Sequence, residues 1–156
     1  MNTSRLEAFS DGVLAIIITI MVLELRAPTG PGFTDLKPLV PKIFSYLLSF
    51  VYVGIYWNNH HHLFHVIQKV NGKILWANLG LLLSLSLIPF TTAWMGEHFL
   101  MPSPAILYGI NLLLSAIMFL VVEHVAIHHE GKDSKIGIAL KSKVKENISW
   151  ILYSAG

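Results

Sequence analysis

Four long runs of apolar residues set the strongest limit on how this chain can fold. They cover residues 5–25, 43–65, 74–94 and 105–127, so each contains 21 to 23 residues. About 20 apolar residues of helix are needed to cross the hydrocarbon core of a bilayer. Hydrophobic residues make up 54% of the chain and charged residues only 13%, whereas about a quarter of the residues in soluble domains are charged. The sequence therefore predicts an all-α fold, a polytopic membrane helix bundle forming a single domain.

A fifth apolar run is much shorter than the others. It begins near Ile148 as ISWILYSAG and contains nine residues. Nine residues of helix extend about 14 Å, less than half of the apolar core. We therefore expect four full membrane-spanning helices, the start of a fifth, and a sequence truncated at its C-terminus. Within the third run, Pro89 lacks an amide donor and predicts a bend.

The placement of basic residues predicts the orientation of the chain in the membrane. Lysine and arginine in short loops collect on the cytoplasmic side. The four-helix arrangement puts three basic residues on one side (Arg26, Lys37 and Lys42) and eight on the other (Arg5, Lys69, Lys73, Lys132, Lys135, Lys141, Lys143 and Lys145). We therefore expect a multi-pass protein of the cell membrane with a cytoplasmic N-terminus.

The first run contains an aspartate, Asp11, in the stretch RLEAFSDG. A helix that began at Asp11 would extend about 22 Å, too short for an apolar core of about 30 Å. Ser4 and Glu7 fit a capping box, and a helix from Arg5 to Leu25 would extend about 31 Å. Asp11 would then lie nearly two turns inside the helix, where contact with lipid costs at least about 2.5 kcal/mol. We therefore expect it to face other protein groups.

The partners of Asp11 are expected on neighbouring helices or subunits. Arg5 lies six positions away, about 600° of helical rotation, so the two side chains leave the helix on different faces. Polar residues at a matching depth are candidates: Asn58, His60, His61, His62 and Asn78. We predict that Asp11 is ionised, with Arg5 and the histidines of the second run as hydrogen-bond donors.

Beyond Asp11 the first helix carries an apolar stripe. Ile16, Ile20 and Leu23 are spaced four and three residues apart and share a face, which Thr19 borders. Such a stripe is typical of a surface that contacts lipid or packs against other helices. The Thr19 hydroxyl can bond back to the carbonyl of Ala15, as threonine often does in membrane helices.

Histidine suggests an alternative function, and composition excludes others. His61 and His65 are four residues apart, as are His124 and His128, which is a ligand-like spacing on a helix. A membrane metal- or haem-binding protein is therefore the alternative interpretation. The chain has no cysteine, so a thiolate metal site is excluded. We find no nucleic-acid-binding motif and no arrangement of residues that suggests an enzyme.

Three stretches of the sequence resemble one known family. RLEAFSD matches the R-x-x-x-F-S-D motif of the transmembrane protein 175 family, and YWNNHHHLF and ILWANLGLLLSLSLIPFTTAW resemble the corresponding stretches of its second and third helices. These proteins are potassium channels of endosomes and lysosomes and their bacterial relatives. The resemblance implies six helices per repeat, and a single repeat is typical of the bacterial, tetrameric members. The fifth and sixth helices of the family are nearly absent from this sequence.

The resemblance also implies a function for particular residues. It implies a potassium-selective, leak-type channel whose pore is lined by the first helix of four identical subunits, with permeating K⁺ and no cofactor. The family's hydrophobic constriction falls on Ile16, Ile20 and Leu23, and the layer associated with potassium preference falls on Thr19. Its polar network falls on Arg5, Phe9, Ser10 and Asp11, to which His61, His62 and Asn78 are added as expected partners.

Overall fold

The computed structural model describes residues 3–131, and in that part of the chain it contains helices and no strand. The elements are α1 (Thr3–Leu23), a 3-10 helix (Phe33–Leu39), α2 (Val40–Val66), α3 (Gly72–Ser86), α4 (Ile88–Glu97) and α5 (Pro102–Glu130). Four stretches are long and apolar enough to cross a membrane: Thr3–Leu23, Phe33–Val66, Gly72–Glu97 and Pro102–Glu130. The predicted all-α membrane bundle is confirmed. The partial helix expected from Ile148 lies outside the described residues.

Helix α1 is shifted by two residues from the range expected from sequence. It is already helical at Thr3, so Ser4 lies inside the helix and does not cap it. The Thr3 hydroxyl donates a hydrogen bond of 3.5 Å to the carbonyl of Ile67, which ties the first turn to the loop after α2. At the other end the helix stops at Leu23, and the amide of Leu25 donates to the carbonyl of Val22.

The third span is broken, as a proline at position 89 would suggest, but the break lies at Leu87. Pro89 occupies the first turn of α4, where its missing N–H group is tolerated. A side chain from α5 forms hydrogen bonds with the backbone groups that the break leaves without their helical partners. With its amide oriented so that both backbone groups are satisfied, the Asn111 carboxamide donates to the carbonyl of Ser84 at 2.9 Å and accepts from the amide of Ile88 at 3.2 Å. Those two backbone groups would bond to each other in an unbroken helix.

The helices pack into one bundle with a continuous core. Helix α3 packs against α5, α4 lies between α2 and α5, and α1 contacts α2, α3 and α4. The side chains buried where these helices meet are large and apolar: Leu14, Val53, Phe64, Ile74, Leu81, Leu85 and Val122. Since lipid is as apolar as this core, tight packing rather than water exclusion holds such helices together.

The two ends of the bundle differ in their polar contacts. At one end the amide groups of Gln68 and Lys69, in the loop between α2 and α3, donate to Oε1 of Glu130 at the end of α5. Thr3 lies at this same end, which we call the N-terminal end. At the opposite end, Nζ of Lys42 and Oε1 of Glu97 form an ion pair at 3.0 Å. The connectivity therefore agrees with the four-span arrangement used to sort the basic residues.

Candidate functional site

Helix α1 has one buried face and one uncovered face. The buried face consists of Leu6, Ser10, Leu14, Ile17 and Met21, which pack against the rest of the subunit. On the other side Ile16, Ile20 and Leu23 are 59%, 43% and 71% exposed. Within the described chain, the three residues expected at the constriction are therefore presented away from their own subunit.

More residues share this uncovered face. With 100° of rotation per residue, seven positions fall within an arc of about 100°: Arg5, Phe9, Gly12, Ile16, Thr19, Ile20 and Leu23. We call this set the α1 face. A Cβ atom added at Gly12 would meet nothing within 4 Å in the part of the chain that the structure describes. The α1 face thus runs the length of the helix, with a charge at the N-terminal end and an apolar stripe beyond it.

Thr19 makes the local hydrogen bond considered from sequence. Its hydroxyl donates to the carbonyl of Ala15 at 2.8 Å, while the side chain stays exposed on the α1 face. A hydroxyl that donates its proton keeps two lone pairs as acceptors. The back-bond therefore fixes the hydroxyl and leaves an oxygen available to a water molecule or a cation.

Behind the α1 face, a buried polar chain joins three helices. The hydroxyl of Ser10 donates to the carbonyl of Leu6 at 2.9 Å and accepts from Nδ2 of Asn78, also at 2.9 Å. The Oδ1 atom of Asn78 lies 2.8 Å from Nε2 of His60. All three side chains are at most 1% exposed. Ser10 and Asn78, expected in the polar network, are thus brought together, and His60 completes the chain.

The direction of these hydrogen bonds sets the histidine tautomer. Because the amide nitrogen of Asn78 donates to Ser10, its carbonyl oxygen faces His60 and can only accept, so Nε2 carries the proton. The imidazole stacks on Phe64, with 4.3 Å between ring centroids. Its Nδ1 atom is buried and has no partner among the described residues.

The acidic residues of α1 bind a different pair of side chains. Oδ1 of Asp11 accepts from Nε1 of Trp57 at 3.0 Å, and Oε1 of Glu7 lies 2.7 Å from Nδ1 of His61. The prediction that Arg5 and the histidines donate to Asp11 is wrong within this subunit, because the donor is an indole. Arg5 is exposed on the α1 face, whereas Asp11 leaves the helix on a different face.

The helix register explains this pairing. Glu7 and Asp11 are one turn apart on α1, and His61 and Trp57 are one turn apart on α2 in the opposite direction. Antiparallel helices match residues whose numbers have a constant sum, and both pairs sum to 68. From sequence, His61 was expected beside Asp11, a pair that sums to 72, so the register that brings Trp57 to Asp11 is evident only from the structure.

The remaining predicted residues stand apart from the network. Phe9 is 53% exposed on the α1 face, and His62 is exposed on α2. His61 stacks on His65, with 6.3 Å between ring centroids. Among residues 3–131, no group of three or more histidine, aspartate or glutamate side chains could hold a metal ion.

Comparison with known proteins identifies the family. Residues 5–89, more than half of the chain, match the family described as endosomal/lysosomal potassium channel TMEM175. A protein of Chryseobacterium sp. (strain P1-3) named as a potassium channel is 56% identical over 156 residues, which are 100% of this chain and 81% of that protein. A potassium channel of Streptomyces collinus is 39% identical over 63% of this chain and 50% of its own length.

A solved structure agrees in fold. It is described as the crystal structure of a lysosomal potassium-selective channel TMEM175 homolog from Chamaesiphon minutus. The two structures superpose with a TM-score of 0.74 and 28% sequence identity, over 92% of this chain and 79% of the other. The family and these relatives are ion channels and not enzymes. The family match, the shared motif in α1 and the common helix arrangement lead to one conclusion: this chain belongs to the TMEM175 family.

Proposed function

We propose that this chain is a subunit of a potassium-preferring cation channel of the cell membrane. The relatives from Chryseobacterium and Streptomyces are named as potassium channels, and the matching crystal structure is described as potassium-selective. In this proposal four copies of the chain surround one pore, each contributing the α1 face. The N-terminus faces the cytoplasm, as the distribution of lysine and arginine between the loops favours.

The observation that carries this proposal is the uncovered α1 face. Helix α1 packs through Leu14, Ile17 and Met21, each 2% exposed, and leaves the opposite side open along its whole length. The open side combines a glycine, a back-bonded threonine and an arginine with four large apolar residues, a mixture poorly suited to lipid. Placed around an axis, the same face would form a narrow apolar passage with a polar entrance.

The chemistry of that passage would account for a preference for potassium over sodium. Rings of Ile16, Ile20 and Leu23 side chains exclude water, so an ion passes only after losing part of its hydration shell. Sodium holds its water more tightly than potassium, and the apolar rings therefore favour potassium. Thr19 is the one residue of the α1 face with a side-chain oxygen, and this oxygen can contact a partly dehydrated ion.

The polar network behind the face has a mechanical role in this proposal. Bonds from Asn78 to Ser10 and from Trp57 to Asp11 fix α1 to α3 and α2 at the N-terminal end. A pore only one or two side chains wide needs its walls held to a fraction of an ångström. No described helix carries the series of arginines typical of a voltage sensor, which favours a leak-type channel.

The test is ion flux through the purified chain in liposomes. We expect K⁺ efflux that exceeds Na⁺ efflux, and Ile16→Asn should raise Na⁺ flux because a polar ring lowers the dehydration cost. The matched control is Leu113→Asn, at a position on α5 that is equally apolar and 61% exposed. If Ile16→Asn behaves like Leu113→Asn while the wild type conducts, α1 does not line the pore. If the wild type does not conduct, the channel proposal itself fails.

A further inference from the structure

A basic cleft opens at the N-terminal end of the bundle, between the start of α3 and the end of α5. Its volume is about 310 Å³, and it is lined by Asn71, Lys73, His124, Val125, His128 and His129. Four of the six lining residues carry an ammonium or an imidazole, and none carries a carboxylate. The donors in this cleft therefore suit an anion.

The two acidic residues at this end of α5, Glu123 and Glu130, do not line the cleft. Oε1 of Glu130 accepts hydrogen bonds from the amides of Gln68 and Lys69, in the loop between α2 and α3. Among residues 3–131, no carboxylate therefore lines the cleft beside Lys73, and an anion entering it would meet ammonium and imidazole N–H donors.

An apolar groove continues from this cleft along the side of the bundle. It shares Asn71, Lys73 and Val125 with the cleft and extends along Trp76, Ala77 and Val121. Trp76 and Ala77 lie just over one turn inside the span that contains α3, and Val121 lies two and a half turns inside the span that contains α5. The indole of Trp76 is 76% exposed at this depth, where tryptophan is enriched at the boundary between lipid and water. The site is thus charged at its mouth and apolar further in.

We propose that the cleft and groove together bind one anionic phospholipid. The phosphate group contacts Lys73, His128 and His129, and one acyl chain lies in the groove along Trp76 and Val121. A free phosphate would satisfy the cleft but would leave the groove empty, so the continuous apolar surface selects a lipid. Basic pockets between membrane helices on the cytoplasmic side are known to accept such headgroups. The proposal does not depend on ion conduction.

The test measures lipid binding to the purified full chain in mixed micelles by native mass spectrometry. The probes are phosphatidylglycerol and phosphatidylcholine with identical acyl chains. We expect tighter binding of phosphatidylglycerol, and a loss of about fivefold in its affinity for Lys73→Gln, the usual contribution of one lysine near an anionic surface. Phosphatidylcholine binding should not change. The matched control is Lys37→Gln, which removes the same charge from the opposite end of the bundle.

Two further variants separate the headgroup from the acyl chain. His128→Gln changes an exposed position and should also weaken phosphatidylglycerol binding. It provides the headgroup test if Lys73→Gln cannot be purified. Trp76→Ala should weaken binding of long-chain phosphatidylglycerol and leave binding of glycerol phosphate unchanged. Equal affinity of the wild type for both lipids, or unchanged affinity in Lys73→Gln and His128→Gln, would overturn the proposal. Displacement of phosphatidylglycerol by equimolar inorganic phosphate would assign the cleft to free phosphate instead.

Discussion

At the scale of single residues, the polar network at the N-terminal end consists of hydrogen bonds between side chains of different helices. Ser10 and Asn78 were expected in a polar network and are hydrogen-bonded to each other. Within the subunit, Asp11 accepts from the indole of Trp57 and not from the expected donors, because an indole N–H is polar although its residue counts as apolar in the sequence pattern. Pairing depends on helix register, which is a property of two elements and is not contained in either segment alone.

Thr19 is the residue at which selectivity can be tested most directly. Thr19→Val keeps the shape of the side chain and removes its oxygen. If that oxygen contacts the ion, its loss costs about 0.5–1.5 kcal/mol, or about two- to tenfold in the K⁺/Na⁺ permeability ratio. Bi-ionic reversal potentials of the reconstituted protein measure this ratio. The matched control is Ser86→Ala, since Ser86 also has an exposed hydroxyl that donates to a backbone carbonyl, that of Leu83 at 2.7 Å. An unchanged potential for Thr19→Val would assign selectivity to the apolar rings alone.

The carboxamide of Asn78 should contribute to the thermal stability of the subunit. Asn78→Leu fills a similar volume but leaves Nε2–H of His60 without its buried acceptor and Ser10 without a donor. An unsatisfied buried polar group costs about 1–3 kcal/mol, so we expect a clear fall in thermal stability in detergent. Asn58→Leu is the matched control, because Asn58 is exposed on α2. Equal melting temperatures for the two variants would show that the buried chain contributes little.

At the scale of elements, the apolar runs predicted the four spans, while their ends and the interruption of the third needed the structure. Pro89 signalled a bend, yet nothing in the third run identifies the group that satisfies the backbone there. That group is the carboxamide of Asn111, a residue that reads from sequence as one polar position in an apolar helix. In lipid, a broken ladder persists only where neighbouring helices satisfy the freed groups.

The break should therefore depend on Asn111 and Pro89 together. Asn111→Leu removes the acceptor of the Ile88 N–H group, whereas the carbonyl of Ser84 keeps a 3.3 Å hydrogen bond from the Leu87 amide. We expect the variant to lower the free energy of unfolding by about 1–3 kcal/mol, the cost of one unsatisfied buried group. Pro89→Ala alone removes the ring that opposes a continuous helix. In the double variant the ladder can close, so stability should partly recover. Strictly additive losses in this double-mutant cycle would mean that Asn111 does not act on the break.

At the scale of the whole molecule, a single subunit is incomplete on one side. Its core is formed by one face of α1 with α2, α3 and α5, whereas the α1 face is left open. The proposed channel would account for this asymmetry, because a helix that lines a shared pore packs against its own subunit from one side only. Sequence periodicity alone could not separate this face from a surface in contact with lipid, since both are stripes of large apolar residues.

The absence of cysteine from the chain allows a direct test of where the α1 face points. A single Ile16→Cys substitution introduces the only thiol, and its thiolate form binds soft metal ions tightly. If four copies of the α1 face surround the conduction path, Ag⁺ added to proteoliposomes should abolish K⁺ flux through Ile16→Cys, because the bound ion closes a passage one side chain wide. Leu113→Cys, on the exposed side of α5, should keep conducting under the same treatment. Ile17→Cys is the more demanding control, since it lies one position away but is buried against the subunit. Block of all three variants would indicate that Ag⁺ acts by disturbing the fold, and block of none would place the conduction path away from α1.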